Sequence, residues 1–417
     1  MKPPRSSPES RTGAIIMRRV VVTGIGAVSS IGLGVKAFTD ALRAGACGVS
    51  EIRSFDTSGF ASHRGCEVRN FDPATWIAGI DPSTLGRSAQ FAVAAAGMAI
   101  RDSGIDTTRL KQARCGVSIG TTDGESQVID QLTEQAVRHG YAGIDPALLQ
   151  QVPSHHISFA VARALGLRGG AITLPTACSA GNYAIGYAYD CIGLGDADAM
   201  LCGGADSVCR KTFAGFYRLG TIAPQVCQPF DKDRKGILTG EGAGLLLLES
   251  LDSALARGAR IYAEVLGYGL TCDADHMVAP NRDSIVRCIR LAHRNAGVSA
   301  AQIQYICAHG TGTIANDITE SGAIAEVFGA TKPPVSSIKS MIGHTMGAAS
   351  ALASIACAVA VRDGFLPPTI NHGETDPRCP LDCVPNHSRA ADLRVVQNNG
   401  FAFGGNNAIT VYARYPQ

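Results

Sequence analysis

The sequence predicts an α/β protein made of two similar halves, and two observations lead there. Short β-branched runs alternate with Ala-rich helical stretches along the chain. Three strand-and-loop patterns of the first half also return, in the same order, in the second. RCGVSIGTTDG (114–124) is echoed by QYICAHGTGT (304–313), and AITLPTACSAGNYAIG (171–186) by VSSIKSMIGHTMGAASALA (335–353). AMLCGGADSV (199–208) is echoed by VVQNNGFAFGGNNAITV (395–411). The halves fall at 18–260 and 261–417, with no Pro- or charge-rich linker between them, so one fused globule is expected.

The elements follow in order. Residues 1–17 are polar and Pro/Ser-rich without the apolar core of a signal peptide, and are expected to be a disordered extension. RVVVTGIGAVSS, from Arg19, reads as a strand running into a glycine turn. Helices are predicted over 89–104 and 155–166, and strands over 115–120 and through GGAITL (169–174). A helix of small residues is expected from Ala180 to Tyr189.

With 417 residues, 46% hydrophobic and 17% charged, the chain can bury a large core. A net charge of +2 and one Trp give neither the electrostatic footprint nor the stacking surface of a nucleic-acid binder. No run of 18 apolar residues occurs, so no membrane span is expected. The 14 cysteines include no paired C-x-x-C knuckles, and Cys379 and Cys383 have no matching pair, so no metal is expected. Most cysteines sit in apolar company, which suits small core residues in a reducing cytoplasm.

Cys178 falls where a β-type run meets a helix. Free N–H groups and the helix dipole there stabilise an anion and favour a thiolate, the competing reading being a buried structural cysteine. If the echo is real, two further polar corners reach the same face: HGTGT with His309, and SIKSMIGH with Lys339 and His344. Taken singly, these read as a turn, a hydrogen-bonded histidine and a solvated charge. GIGAVSSIG lacks the G-x-G-x-x-G spacing and no P-loop lysine follows, so nucleotide binding is rejected.

Together, TACSAG around Cys178, AHGTGTIANDITE (308–320), SSIKSMIGHTMGAAS (336–350) and NNGFAFGGNNA (398–408) resemble the β-ketoacyl-acyl-carrier-protein synthases. The type II elongating synthases, and the discrete ketosynthases of type II polyketide systems, are the nearest in pattern. QPFDKDRKGILTGEGAGLLLLE (228–249), DADHMVAP (273–280) and LPPTINHGETDP (366–377) add support, and the resemblance runs from Arg18 to the end. It implies the duplicated, five-layered α/β/α/β/α thiolase fold. It also implies decarboxylative condensation of malonyl carrier with an enzyme-bound acyl group, in fatty-acid or in polyketide and polyene synthesis.

The resemblance assigns roles. Cys178 would be the nucleophile. His309 and His344 would donate to the enolate oxygen formed by decarboxylation, and the backbone N–H groups of Cys178 and Phe403 would hold the acyl oxyanion. Lys339 would pair with Glu320 to organise the histidines, with Asp317 at another of the family's polar positions. Thr311 and Thr313 would hydrogen-bond the phosphopantetheine arm. Phe403 would gate the pocket on a loop with Phe401, Gly400, Gly404 and Gly405, and Asp273 and His276 would form a second gating loop. No cofactor is implied beyond the phosphopantetheine of the acyl carrier protein. That acidic partner would meet Arg210, Lys211 and Arg218. The chain would form a homodimer, or a heterodimer with a chain-length-factor-like subunit.

Ile314 stands where most relatives carry proline, and Ala353 where many carry glutamate. TACSAGN also departs from the commoner elongation signatures, which suggests a specialised substrate. Cys178 argues against a non-extending partner subunit or decarboxylase, in which the nucleophile is usually replaced. A degradative thiolase would require a second catalytic cysteine and a CoA site. A papain-like hydrolase finds no support in the other motifs.

Overall fold

The computed structural model describes residues 17–416, so the disorder expected over 1–17 lies, except for Met17, outside the described residues. Ten strands form its frame: β1 (Val20–Ser29), β2 (Cys115–Gly120), β3 (Ala171–Leu174), β4 (Ala199–Asp206) and β5 (Gly242–Ser250) in the first half. The second half contributes β6 (Ala263–Cys272), β7 (Tyr305–Cys307), β8 (Val335–Ser336), β9 (Val395–Gly400) and β10 (Asn406–Ala413). Their order is β3-β2-β4-β5-β1-β6-β10-β9-β7-β8, with a short strand at Gly32–Leu33 folded onto β1.

The duplication is visible in this order. From the centre outward, β1-β5-β4-β2-β3 and β6-β10-β9-β7-β8 repeat one pattern: two antiparallel pairings, then two parallel ones. Within the sheet the halves join where Val20–Val22 of β1 pairs with Ala263–Val265 of β6.

Six helices complete the layers. Helix α1 (Arg87–Ser103) packs on β1, β4 and β5, and α2 (His156–Leu165) on β2 and β3, covering the outer face of the first half. On the far side α4 (Arg282–Ala296) covers β6 and β10, with α5 (Ile314–Phe328) against it. Between the halves lie α3 (Ala180–Gly193) and α6 (Ala349–Asp363), each touching strands of both halves. This is the five-layered α/β/α/β/α thiolase-like arrangement.

Burial on both sides explains the sequence of the middle layer. Ala349 to Val361 is buried without interruption, so α6 has almost no polar face. The stretch Met346–Asp363 is long and apolar enough to cross a bilayer, yet 89% of it is buried inside the fold. Ala353 lies in this apolar layer among aliphatic neighbours.

The expected glycine turn in GIGAVSS is instead strand. β1 continues to Ser29, and its pairing with β5 slips between Val22 and Gly24. A side chain on Gly26 would run into the Ala95 carbonyl of α1, so the glycine there permits close helix–strand approach.

Candidate active site

Three chain segments leave the carboxyl ends of their strands and converge on one place. After β3, the chain makes a tight turn at Ala177–Ser179, with Ala177 in the left-handed region (φ 55°), and enters α3. Cys178 sits in that turn, 5% exposed, at the N-terminal end of the helix. After β7 come Ala308, His309 and the GTGT loop, which Thr313 closes by accepting a hydrogen bond from Asn316 N and capping α5. After β8 come the short helix Lys339–Ile342, Gly343 and His344.

These segments meet at one cavity. Cys178, His309, His344, Thr311, Thr313, Asp273, Phe401 and Phe403 all line it. The two imidazoles stand 5.5 Å apart, centroid to centroid, with planes at 82°. Both are buried, and burial followed by the Lys339 charge holds each well below the usual imidazole range. They are therefore neutral at physiological pH. The Met346 N–H donates to His344 Nδ1 at 3.1 Å. The proton of the neutral ring accordingly resides on Nε2.

The cysteine departs from expectation. Burial pushes the Cys178 thiol up to about 12, against the pull of the Lys339 charge and a hydrogen bond from the Phe403 backbone. The helix terminus does not offset that desolvation, so the resting group is a thiol and nucleophilic attack requires its proton to be removed.

The expected Lys339–Glu320 pair is also different. Lys339 Nζ donates to the His309 carbonyl at 2.6 Å. The Glu320 carboxylate accepts from His309 N (2.9 Å), Gly310 N (2.8 Å) and Asn399 Nδ2 (2.9 Å). The His309 peptide thus stands between cation and anion, each holding one side of it. One turn earlier on α5, Asp317 accepts from Thr311 N at 3.1 Å and Phe230 N at 2.8 Å and pairs with Arg234 at 3.3 Å. Neither Lys339 nor Glu320 lines the cavity.

The aromatic wall is tied together. Phe401 packs on His309 (centroids 5.7 Å apart) and Phe403 on Phe216 (5.4 Å), which also approaches His344 at 6.5 Å. Gly404 donates to the Met277 carbonyl at 2.8 Å, and Asp273 N to the Gly405 carbonyl at 3.0 Å. Asn407 Nδ2 donates to Asp273 Oδ1 at 2.7 Å. Asp273 is thus part of the wall. His276 is not: it is exposed, and its Nδ1 accepts from Val278 N and Ala279 N within its own turn. Gly400 ends β9 against the Cys178 turn.

Of the three basic residues expected at a docking face, Lys211 is engaged with Asp123 at 2.8 Å and Arg210 lies 3.9 Å from Asp130, while Arg218 is exposed. Ile314 is the first residue of α5 and is exposed beside the cavity mouth. Cys379 and Cys383 are buried, and among the described residues no group of three or more metal-ligating side chains converges.

Sequence reading missed Phe216, Asn316, Asn399 and Asp206. Asn399 stood inside a quoted motif, and its place at the end of a strand beside the catalytic loops was the available signal. Asn316 and Asp206 also stood inside quoted stretches, AHGTGTIANDITE and AMLCGGADSV, but with no local signal of their partners, and Phe216 lay outside any of them.

A buried thiol facing two neutral imidazoles beneath a thiolase-like double sheet defines a condensing enzyme, an acyltransferase that forms carbon–carbon bonds. Residues 17–254 match the family model "Beta-ketoacyl synthase, N-terminal domain" and residues 262–373 its C-terminal counterpart. The chain belongs to the beta-ketoacyl synthase family. It is 38% identical over 409 residues to 3-oxoacyl-acyl-carrier-protein synthase 2 of Synechocystis sp., covering 95% of this chain and 98% of that protein. The same identity holds over 411 residues with the Coxiella burnetii synthase 2, covering 95% and 99%. Among solved structures, the ishigamide ketosynthase/chain length factor is 54% identical with a TM-score of 0.95, covering 96% of this chain and all of that one. A type II polyketide ketosynthase, solved with its acyl-carrier protein and bound to the hexaketide, is 31% identical with a TM-score of 0.89, covering 96% and 100%.

Proposed function

We propose that this enzyme condenses malonyl carrier protein, with decarboxylation, onto an acyl group held on Cys178, lengthening the chain by two carbons. The observation that carries the reading is the shared cavity: one thiol and two neutral imidazoles lie together in a buried pocket. Cys178 attacks the incoming acyl thioester, and the sulfhydryl proton leaves with the carrier thiol. The backbone N–H groups of Cys178 and Phe403 receive the acyl oxygen. Loss of carbon dioxide from the malonyl group gives an enolate, whose oxygen accepts hydrogen bonds from the imidazoles of His309 and His344. Its carbon then attacks the Cys178 thioester, and the sulfur leaves as a thiolate that takes up a proton from solvent to restore the resting thiol. Donors of this kind contribute roughly 3–4 kcal/mol each to the transition state.

Lys339 and Glu320 hold the His309 peptide, and Thr311 and Thr313 receive the phosphopantetheine arm. Phe403, with Phe401 and Gly404, forms the gate, with Asp273 bracing it and His276 on the outer turn. No cofactor beyond the carrier's own arm is needed. The 54% identity to a ketosynthase/chain length factor, against 38% to the synthases 2, supports a polyketide-type pathway and a chain-length-factor-like partner over a self-dimer. A reducing cytoplasm suits fourteen cysteines that are all free.

The test is to incubate the enzyme, alone and with a co-expressed chain-length-factor-like subunit, with acyl and malonyl carrier proteins and weigh the products. A β-ketoacyl product two carbons longer is expected, and none from Cys178→Ala with its melting temperature unchanged. Continued elongation by Cys178→Ala would refute the nucleophile.

A further inference from the structure

Beneath the loops of the active site lies a buried carboxylate that the mechanism above does not use. Asp206, the last residue of β4, is fully buried, and each of its recorded partners is a hydrogen-bond donor. Its Oδ1 accepts from Thr121 Oγ1 (2.6 Å) and Asp123 N (3.0 Å), and its Oδ2 from Thr122 N (2.7 Å) and Gly347 N (2.6 Å). Burial, with the neighbouring Asp123 charge, pushes this carboxyl up to about 7, and the donors oppose that rise. Three of these donors come from the loop after β2 in the first half. The fourth comes from the second half, three residues beyond His344.

That fourth bond has a consequence for the histidine. Gly347 follows Met346, whose N–H fixes His344 Nδ1. Met346 is held in the left-handed region (φ 50°), a conformation a non-glycine residue keeps only when its neighbours impose it. On one side the imposition is the His344 carbonyl, which accepts from Gly240 N at 2.9 Å, and the His344 N–H, which donates to Leu238 O at 2.7 Å. On the other side it is Asp206. Gly347 has to be glycine, because a Cβ there would strike both Thr121 and the Asp206 carboxylate.

The internal duplication sharpens the point. Ala177–Cys178 before α3 and Met346–Gly347 before α6 are the same turn, with φ of 55° and 50° at the first residue. In the first half the N–H at the second position belongs to the nucleophile and is the one proposed to receive the acyl oxygen. In the second half the equivalent N–H is occupied by a resident carboxylate.

We infer that Asp206 is a positioning residue: by anchoring the Gly347 N–H it holds the Met346 turn that keeps His344 in its Nε2–H tautomer, aimed into the cavity. The inference rests on the proposed function for its kinetic consequence and on the hydrogen bonds alone for its spectroscopic one. In Asp206→Asn the amide NH₂ faces donors whichever way it turns, so the anchor becomes repulsive on one side.

The experiment uses the full chain and two readouts. Malonyl-carrier decarboxylation, which needs His344, is expected to fall about ten-fold or more in Asp206→Asn, while acyl transfer to Cys178 stays within about three-fold. In ¹⁵N-histidine spectra, the His344 signal (assigned by its loss in His344→Ala) is expected to show the Nε2–H pattern in the wild type and a mixture of tautomers in the variant. Parallel loss of both activities with an unchanged His344 signal would overturn the inference. Should Asp206→Asn fail to fold, Thr121→Val removes one of the four donors to Asp206, together with the acceptor of the Gly124 N–H. It is expected to lower decarboxylation relative to acyl transfer, and an unchanged ratio and spectrum would be equally fatal. A wild type that neither loads acyl groups nor releases carbon dioxide would sink the proposed function, yet the tautomer comparison would still decide the role of Asp206.

Discussion

Lys339 Nζ donates to the carbonyl of His309 at 2.6 Å, while Glu320 accepts the N–H of the same residue at 2.9 Å. The backbone of one residue is therefore gripped by a buried ammonium at its carbonyl and a buried carboxylate at its N–H. The ammonium also sets the electrostatics of the cavity. Its charge depresses both imidazoles and pulls down the Cys178 thiol that burial raises. A single buried lysine thus helps keep both imidazoles neutral without lining the cavity.

Replacing Lys339 by Met tests this. Removal of the charge lets both imidazole pKa values rise, though burial still holds them below the ordinary range. Protonation of His344 would place a hydrogen on Nδ1, against the Met346 N–H that now donates to it. The acid limb of the decarboxylation profile is therefore expected to move to higher pH, so that the loss relative to the wild type is larger at the acid end of the profile than near pH 8. A variant whose rate is reduced equally at every pH would show that Lys339 acts through geometry only.

In the proposed mechanism the two histidines divide the enolate between them. Truncating either, as His309→Ala or His344→Ala, is expected to cut malonyl-carrier decarboxylation by about 10²–10³-fold. Acyl transfer to Cys178 is expected to survive with much smaller loss, because the oxyanion site proposed for it is made of backbone N–H groups. Carbon dioxide release and acyl loading, measured separately on the same preparations, decide the matter. Unchanged release from His344→Ala would remove it from the mechanism.

Phe216 packs on Phe403 and lies near His344, so it links the proposed gate to the proposed donor. Aromatic contacts of this kind contribute about 0.5–1.5 kcal/mol beyond the area they bury. Phe216→Ala is expected to lower kcat/KM for acyl loading by about three- to ten-fold, chiefly through KM. A loss confined to kcat would place Phe216 with the chemistry instead.

How far these features were legible depends on the range of the interaction behind each. The strand at 115–120 appears in the structure with those bounds, because a β-branched run between polar residues is a local signal. The Cys178 corner was readable for the same reason. Lys339 stood in one of the polar corners and Glu320 was reachable only through family resemblance, and their relation was misjudged because the His309 backbone between them leaves no trace in spacing. Gly24 and Gly26 looked like a turn since their packing partner, α1, lies some seventy residues away in sequence. Asp206 was invisible on similar grounds, its key bond spanning 141 residues to Gly347. His276 shared a motif with Asp273 but faces solvent, which a motif cannot tell.

A buried carboxylate with no role at the cavity offers a prediction about stability. Glu125 is fully buried, and its oxygens accept the N–H groups of Ser88 (3.2 Å) and Ala89 (2.6 Å) at the start of α1. Burial outweighs those bonds, and with the Asp206 charge it pushes the carboxyl from 4.5 to about 8. A carboxyl raised on folding binds its proton more tightly in the native state than in the unfolded chain. It therefore costs stability as pH rises from the unfolded value toward the folded one, by on the order of 3–5 kcal/mol across that window. Glu125→Gln removes the titration while keeping the shape, at the cost of one amide N–H facing a backbone donor. Urea unfolding of both proteins at half-unit steps from pH 5 to 8 should show the wild type losing stability relative to the variant as pH increases. Parallel curves would mean that Glu125 is ionised in the folded protein throughout, and that the N-terminus of α1 stabilises its charge far more strongly than its burial opposes it.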